Sequence, residues 1–218
     1  SIKKCVRKLV LTNTYRMASI ADERAGGADP ANLLLHRTRL RRLEGEAIRD
    51  AMLAISGRLD PRMFGPGVPI HLTPFLDGRG RPASGPLDGN GRRSVYLAVR
   101  RNFLSPFLQA FDTPIPSSTV GKRTVSNVPA QSLILLNDPF VHEQARIWAK
   151  GTLRAAGTPL DHLERMYLRA FARLPSERES EECLDFVQRL TAEKAEEVEA
   201  WADLAHTLFN AKEFIFLR

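Results

Sequence analysis

Eight of the chain's 14 glycines and six of its 14 prolines fall between residues 57 and 91. That density can continue neither a helix nor a central strand. Whatever core this chain builds must therefore come from the residues on either side. A long irregular excursion inside a compact domain is uncommon, and is either a contact surface or a mobile strap.

On the N-terminal side, Ile2, Val6, Leu9, Val10 and Tyr15 recur near helical spacing with Lys3, Lys4, Arg7 and Lys8 between them, predicting an amphipathic helix over 2–16. The Gly26-Gly27 pair breaks it. Asp29-Pro30 then reads as an N-cap and first helical position, and Leu33, Leu34, Leu40, Leu43, Ala47, Ile48, Ala51 and Ile55 predict a long second helix from Pro30 to about Ser56, closed by Gly57. Within it Glu46 and Asp50 stand four apart among arginines, as in a salt-bridged helix face; the competing reading is a catalytic carboxylate pair.

Beyond the excursion, Val95, Leu97 and Val99 alternate with polar or small residues, which predicts a strand over 92–101. An irregular stretch runs on to Val128. The remainder reads as helices: Pro129–Leu136, Phe140–Ala155 behind an Asp138 cap, a segment opened by Thr158-Pro159-Leu160-Asp161, one opened by Ser176-Glu177-Arg178-Glu179, and a last one carrying Trp201, Leu204, Ala205 and Leu208. The expected fold is mainly α: one irregular multi-helix domain over 1–218 with a long Gly/Pro-rich loop and one or few short β-strands. Its parts are basic helices (1–56), the excursion (57–91), a strand with an irregular segment (92–128) and a helical part (129–218).

Several function classes lose their support at this level. No run approaches 18 uninterrupted apolar residues, so no membrane span is expected. No phosphate-binding glycine loop, His-Glu-x-x-His or Gly-x-Ser-x-Gly is present. Cys5 and Cys183 lack paired spacing, so neither metal nor covalent haem is expected, and no cofactor in this segment. The two cysteines could be bonded to each other or remain separate thiols. His36, His71, His142, His162 and His206 are scattered along the chain. The formal charge of +7 is uneven: residues 1–125 hold 21 Lys/Arg against 10 Asp/Glu, whereas 126–218 hold 11 against 15. Such a basic half is a footprint for an acidic partner, yet 25 of the 32 basic residues are arginine, which a codon bias also produces. A nucleic-acid partner is disfavoured and ranks third.

The densest polar cluster comprises Arg93, Tyr96, Arg100, Asn102, Asp112, Arg123, Gln131 and Asn137. Arginines beside an aromatic, with amides near, suit planar bidentate recognition of carboxylate, sulfate or phosphate groups. The plainer reading is that these side chains tie irregular backbone together by bonding otherwise unpaired peptide groups.

Order-preserving blocks carry a resemblance across nearly the whole chain: Thr14-Tyr15-Arg16, Arg42-Leu43-Glu44-x-Glu46-Ala47-Ile48-Arg49-Asp50, Ser56-Gly57-Arg58-Leu59-Asp60, Arg92-Arg93-Ser94-Val95-Tyr96, Arg100-Arg101-Asn102, Phe111-Asp112, Gln131-Ser132-Leu133, Leu136-Asn137-Asp138-Pro139-Phe140 and Asn210-x-x-Glu213-Phe214. In these the chain resembles the planctomycete-type domain of unknown function 1553, the C-terminal part of large exported proteins that often carry a cytochrome c-like domain upstream. The resemblance supplies no activity or catalytic residue. It implies an extracytoplasmic setting, upstream domains of the same polypeptide as partners, and work on redox chemistry or polysaccharides by association only. The leading expectation is a structural or ligand-binding module taking an anionic or polysaccharide ligand. The second is an enzyme acting on a glycan, with Asp112, Asp138 or the Glu46 and Asp50 pair as acid and base.

Overall fold

A computed structural model describes residues 1–20, 22–193 and 196–217. These form ten helices and a single two-stranded sheet, so the protein is mainly α with few short strands. The chain divides into two compact units, Ser1–Arg42 with Phe216–Arg218, and Leu43–Ile215.

The first unit carries α1 (Ile2–Val10), α2 (Glu23–Ala28) and a sheet of β1 (Arg41–Arg42) and β2 (Phe216–Leu217), paired antiparallel with Arg41 opposite Leu217. The helix expected to reach residue 16 stops at Val10. Thr12 turns its hydroxyl onto the Leu9 carbonyl (2.8 Å) and accepts the Tyr15 N–H (3.2 Å), giving the backbone partners outside the helical ladder. The long helix expected from Pro30 also fails to form. Asp29 accepts the Leu33 and Leu34 N–H groups (2.9 and 2.7 Å), closing a turn instead of capping a helix. Asn32 and Leu35 adopt left-handed backbone (φ 54° and 56°), a conformation that ends helical propagation. The Asn32 side chain then satisfies both the N–H and the C=O of Arg37. The leucines that suggested a helical stripe, Leu33, Leu34 and Leu40, are exposed.

In the second unit the helix that does form is α3 (Gly45–Ser56), ended by Gly57 at φ 79° as its sequence requires. It buries Ile48, Met52, Leu53 and Ile55. After α4 (Pro106–Ala110) come α5 (Pro129–Asn137), α6 (Pro139–Leu153), α7 (Pro159–Phe171), α8 (Glu177–Glu193), α9 (Glu197–Asn210) and α10 (Lys212–Ile215). The caps read from the sequence form. Asp138 accepts the Phe140 N–H (2.8 Å), Thr158 and Asp161 make a capping box, and Ser176 and Glu179 exchange the same pair of bonds.

The core is built around α6, which packs against α9 and α3. Trp148 of α6 packs on Phe209 of α9 with centroids 5.0 Å apart, and Phe107 bridges Phe111 and Phe140. Each such fully buried aromatic contributes about 2–3 kcal/mol of transfer free energy. Cys5 and Cys183 are both free thiols.

A stacked histidine pair sits at the C-terminal end of α5. The rings of His142 and His206 lie 4.2 Å apart, and their Nε2 atoms meet the carbonyl oxygens of Leu136 (2.8 Å) and Leu135 (2.9 Å). Burial pulls His206 below its ordinary 6.5, and the charge of His142 adds to this against the Leu135 carbonyl and Asp203. Folding therefore favours neutral His206. The stability it carries is complete above about pH 6.5 and is lost as pH falls through the lower folded-state value. Thermal melts from pH 7 to 5, above the range in which ordinary carboxylates titrate, should show the midpoint falling on acidification, with a smaller fall in His206→Gln. An equal fall in both would assign the effect elsewhere.

Candidate functional site

The excursion over 57–91 is irregular but tethered at several points. Single parallel bridges join Asp60 to Arg92 and Val68 to Leu97, the Ile70 carbonyl accepts the Gly85 N–H (2.8 Å), and Ser84 accepts the Leu72 N–H (2.9 Å). Residues 92–101 do not make the expected strand. They form a 3-10 turn at Ser94–Tyr96 and the isolated bridges. The reason is Ser94, whose N–H and hydroxyl both donate to the Asp50 carboxylate (2.7 Å each), drawing the chain onto α3. Val95 and Val99, the apolar side of the alternation, are exposed.

Arg49 anchors this region. Its guanidinium is buried and donates to the carbonyls of Arg92 (3.0 Å) and Asp88 (2.8 Å) and to the Ser94 hydroxyl (3.1 Å), while facing the Phe140 ring at 5.3 Å. Burial lowers its affinity for the proton, opposed by Asp50 and Asp88. Arg92 likewise donates to the carbonyls of Arg62 and Phe64 and covers the Tyr96 ring at 4.1 Å.

On the outer side of α3 the helical period places Glu46 and Asp50 on one face, and a cavity of about 500 Å³ opens in front of them. Burial alone would push Glu46 up. The Arg123 fork, meeting its carboxylate at 2.7 and 3.2 Å, and the Thr113 hydroxyl at 3.2 Å hold it below the ordinary carboxylate value. Arg123 also reaches Glu44 (3.4 Å), and Arg93 approaches Asp50 (3.6 Å). Ile70, Leu97, Leu104 and Leu108 supply an apolar wall. Three carboxylates against two guanidiniums leave the lining at a formal charge of −1.

The structure brings only part of the sequence cluster together. Arg93 and Arg123 share this cavity. Tyr96 does not line it, and its hydroxyl accepts the Phe64 N–H at 2.7 Å. Asp112, at φ 61°, accepts the N–H and hydroxyl of Ser126, and Gln131 donates to the same serine, so this group knots irregular backbone. Arg100 and Asn102 are exposed in a turn closed by the Phe103 N–H. Asn137 borders a second cavity of about 400 Å³. That cavity also holds Asp138, which burial pushes above its ordinary value although the Phe140 N–H, His71 and His142 pull it down. Sequence reasoning missed Glu44, Thr113 and the anchoring role of Arg49. The signals that pointed to the site were the four-residue spacing of Glu46 and Asp50 and the inclusion of Arg93 and Arg123 in the polar cluster.

Among the described residues no group of three or more His, Cys, Asp and Glu is placed to hold a metal ion, and no helix is long and apolar enough to cross a membrane. Fold and site together define a mainly helical domain with a charged, half-apolar cavity. The model of one family, Protein of unknown function (DUF1553), matches residues 1–187, and the chain belongs to that family. No curated protein matches the chain, and no solved structure does.

Proposed function

We propose that the domain is a ligand-binding module of an exported multidomain protein, and that the cavity against α3 takes a polyhydroxylated saccharide. The observation that supports this is the pairing of carboxylates and guanidiniums opposite an apolar wall. Hydroxyl groups both donate to carboxylates and accept from guanidiniums, and the C–H face of a sugar ring suits Ile70, Leu97 and Leu104. An anion fits less well, because Arg123 is already forked onto Glu46 and the lining is net negative. A general-acid role fits Glu46 poorly, because Arg123 and Thr113 favour its ionised form.

Calorimetric titration of the chain with neutral, acidic and sulfated oligosaccharides tests this reading. Neutral sugars are expected to bind, and Arg93→Ala, at a side chain about half exposed, to weaken them about ten-fold, or ~1.4 kcal/mol. Absence of neutral-sugar binding, or indifference to both Arg93→Ala and Gln109→Ala, the latter at another residue lining the cavity, would overturn it.

A further inference from the structure

The second cavity lies on the other side of Ile70, Leu97 and Ser105, and these three residues border both spaces, so a single layer of side chains separates them. At its mouth stands Phe75, 95% exposed, the most exposed large apolar side chain described. Phe107 and Phe140 lie deeper. Polar atoms rim the same space. Asn137 donates through Nδ2 to the Leu133 carbonyl and Asp138 accepts the Phe140 N–H through Oδ1. The bonds that Asn137, Asp138 and His71 make use Nδ2, Oδ1 and Nδ1, which leaves Asn137 Oδ1, Asp138 Oδ2 and His71 Nε2 to meet a ligand.

The chemistry of this space narrows its occupant. A purely apolar ligand would cover the three polar atoms without satisfying them, a net cost. An anion would meet the Asp138 carboxylate. An organic cation would find the face of Phe140 taken by the protein's own Arg49. A neutral ring with a flat C–H face and hydroxyls at its rim meets all of these groups at once: the face covers Phe75 while vicinal hydroxyls engage the amide, carboxylate and imidazole.

We propose that the second cavity is a stacking subsite for one pyranose of an oligosaccharide whose next units occupy the cavity against α3, with Phe75 as its platform and Asn137, Asp138 and His71 as its polar rim. This rests on the saccharide reading of the first cavity and extends it from a single sugar to a chain crossing the Ile70, Leu97 and Ser105 divide.

The test is calorimetric titration of the full chain, and of Phe75→Ala, Asn137→Ala and Arg93→Ala, with cello- and malto-oligosaccharides of one to six units. Affinity is expected to rise with length in at least one series. Phe75→Ala and Asn137→Ala should remove that rise, lowering affinity for the longest member about ten-fold. Arg93→Ala should weaken every length. Because Phe75 is exposed, an unchanged melting curve of Phe75→Ala separates a lost contact from a lost fold. Length-independent binding that responds to Arg93→Ala but not to Phe75→Ala would overturn the second subsite and leave the first cavity's assignment standing. Binding that responds to Phe75→Ala but not to Arg93→Ala would overturn the continuous groove, and no binding in either series would overturn both.

Discussion

Arg49→Met is expected to destabilise the protein by about 3–5 kcal/mol, measured as a lowered denaturant midpoint at constant slope. Methionine approximates the length of the arginine stem, so the cavity left behind is small. What disappears is a buried cation whose partners cannot follow it to water. The Arg92 carbonyl loses its donor, the Asp88 carbonyl keeps only the Gly91 N–H, and the Asp50 carboxylate keeps only Ser94 and the more distant Arg93. Orphaned buried acceptors carry the full desolvation cost of each group. The damage should be local before it is global. Hydrogen exchange at Tyr96, whose N–H closes the turn on Arg93, and at Ala98, bonded to the Val68 carbonyl, should accelerate more than exchange in α6 or α9. A uniform change across the chain, or a loss below about 1 kcal/mol, would mean that Arg49 is not what fastens this region.

The role of Arg49 shows how far the sequence could be read. Where local chemistry alone decides, the reading held: Gly57 ends α3, Asp138 caps α6, Thr158 with Asp161 boxes α7, and Ser176 with Glu179 opens α8. Each is a short-range hydrogen bond that needs no knowledge of the rest of the chain. The failures have the opposite cause. Leu33, Leu34 and Leu40 have helical spacing but no core to face, so the side chains of Asp29 and Asn32 decide the backbone instead. Val95 and Val99 alternate as a strand would, but Ser94 is claimed by Asp50, 44 residues earlier in the chain, and the pattern is overruled. The candidate site was legible in the same measure. The expectation that polar side chains would bond unpaired backbone describes Arg49, Arg92, Asp112 and Gln131, whereas the Arg123 fork on Glu46 spans 77 residues and left no local trace.

Gly91→Ala should be a severely damaging single-methyl change, costing upward of about 3 kcal/mol. Gly91 is buried with φ 71°, which disfavours any side chain, and a Cβ there would lie 2.0 Å from the Arg58 carbonyl oxygen. Its own carbonyl accepts the Asp60 N–H at 2.8 Å, so the chain cannot swing aside without breaking the bridge between Asp60 and Arg92. Two other glycines divide this cost into parts. Gly65 has φ 93° with open space where a Cβ would go, so alanine there should cost only the conformational term, about 1–2 kcal/mol. Gly121 has open space and no positive φ, and alanine there should be neutral or slightly stabilising through the unfolded chain. The descending order Gly91, Gly65, Gly121 in chemical denaturation is the expected result. Equal costs at Gly91 and Gly65 would mean that nothing packs on Gly91 and that the excursion is the mobile strap its composition also allowed. A large excess at Gly91 would mean that the excursion is a packed wall, held firmly enough to keep Ile70 and Leu97 between two cavities.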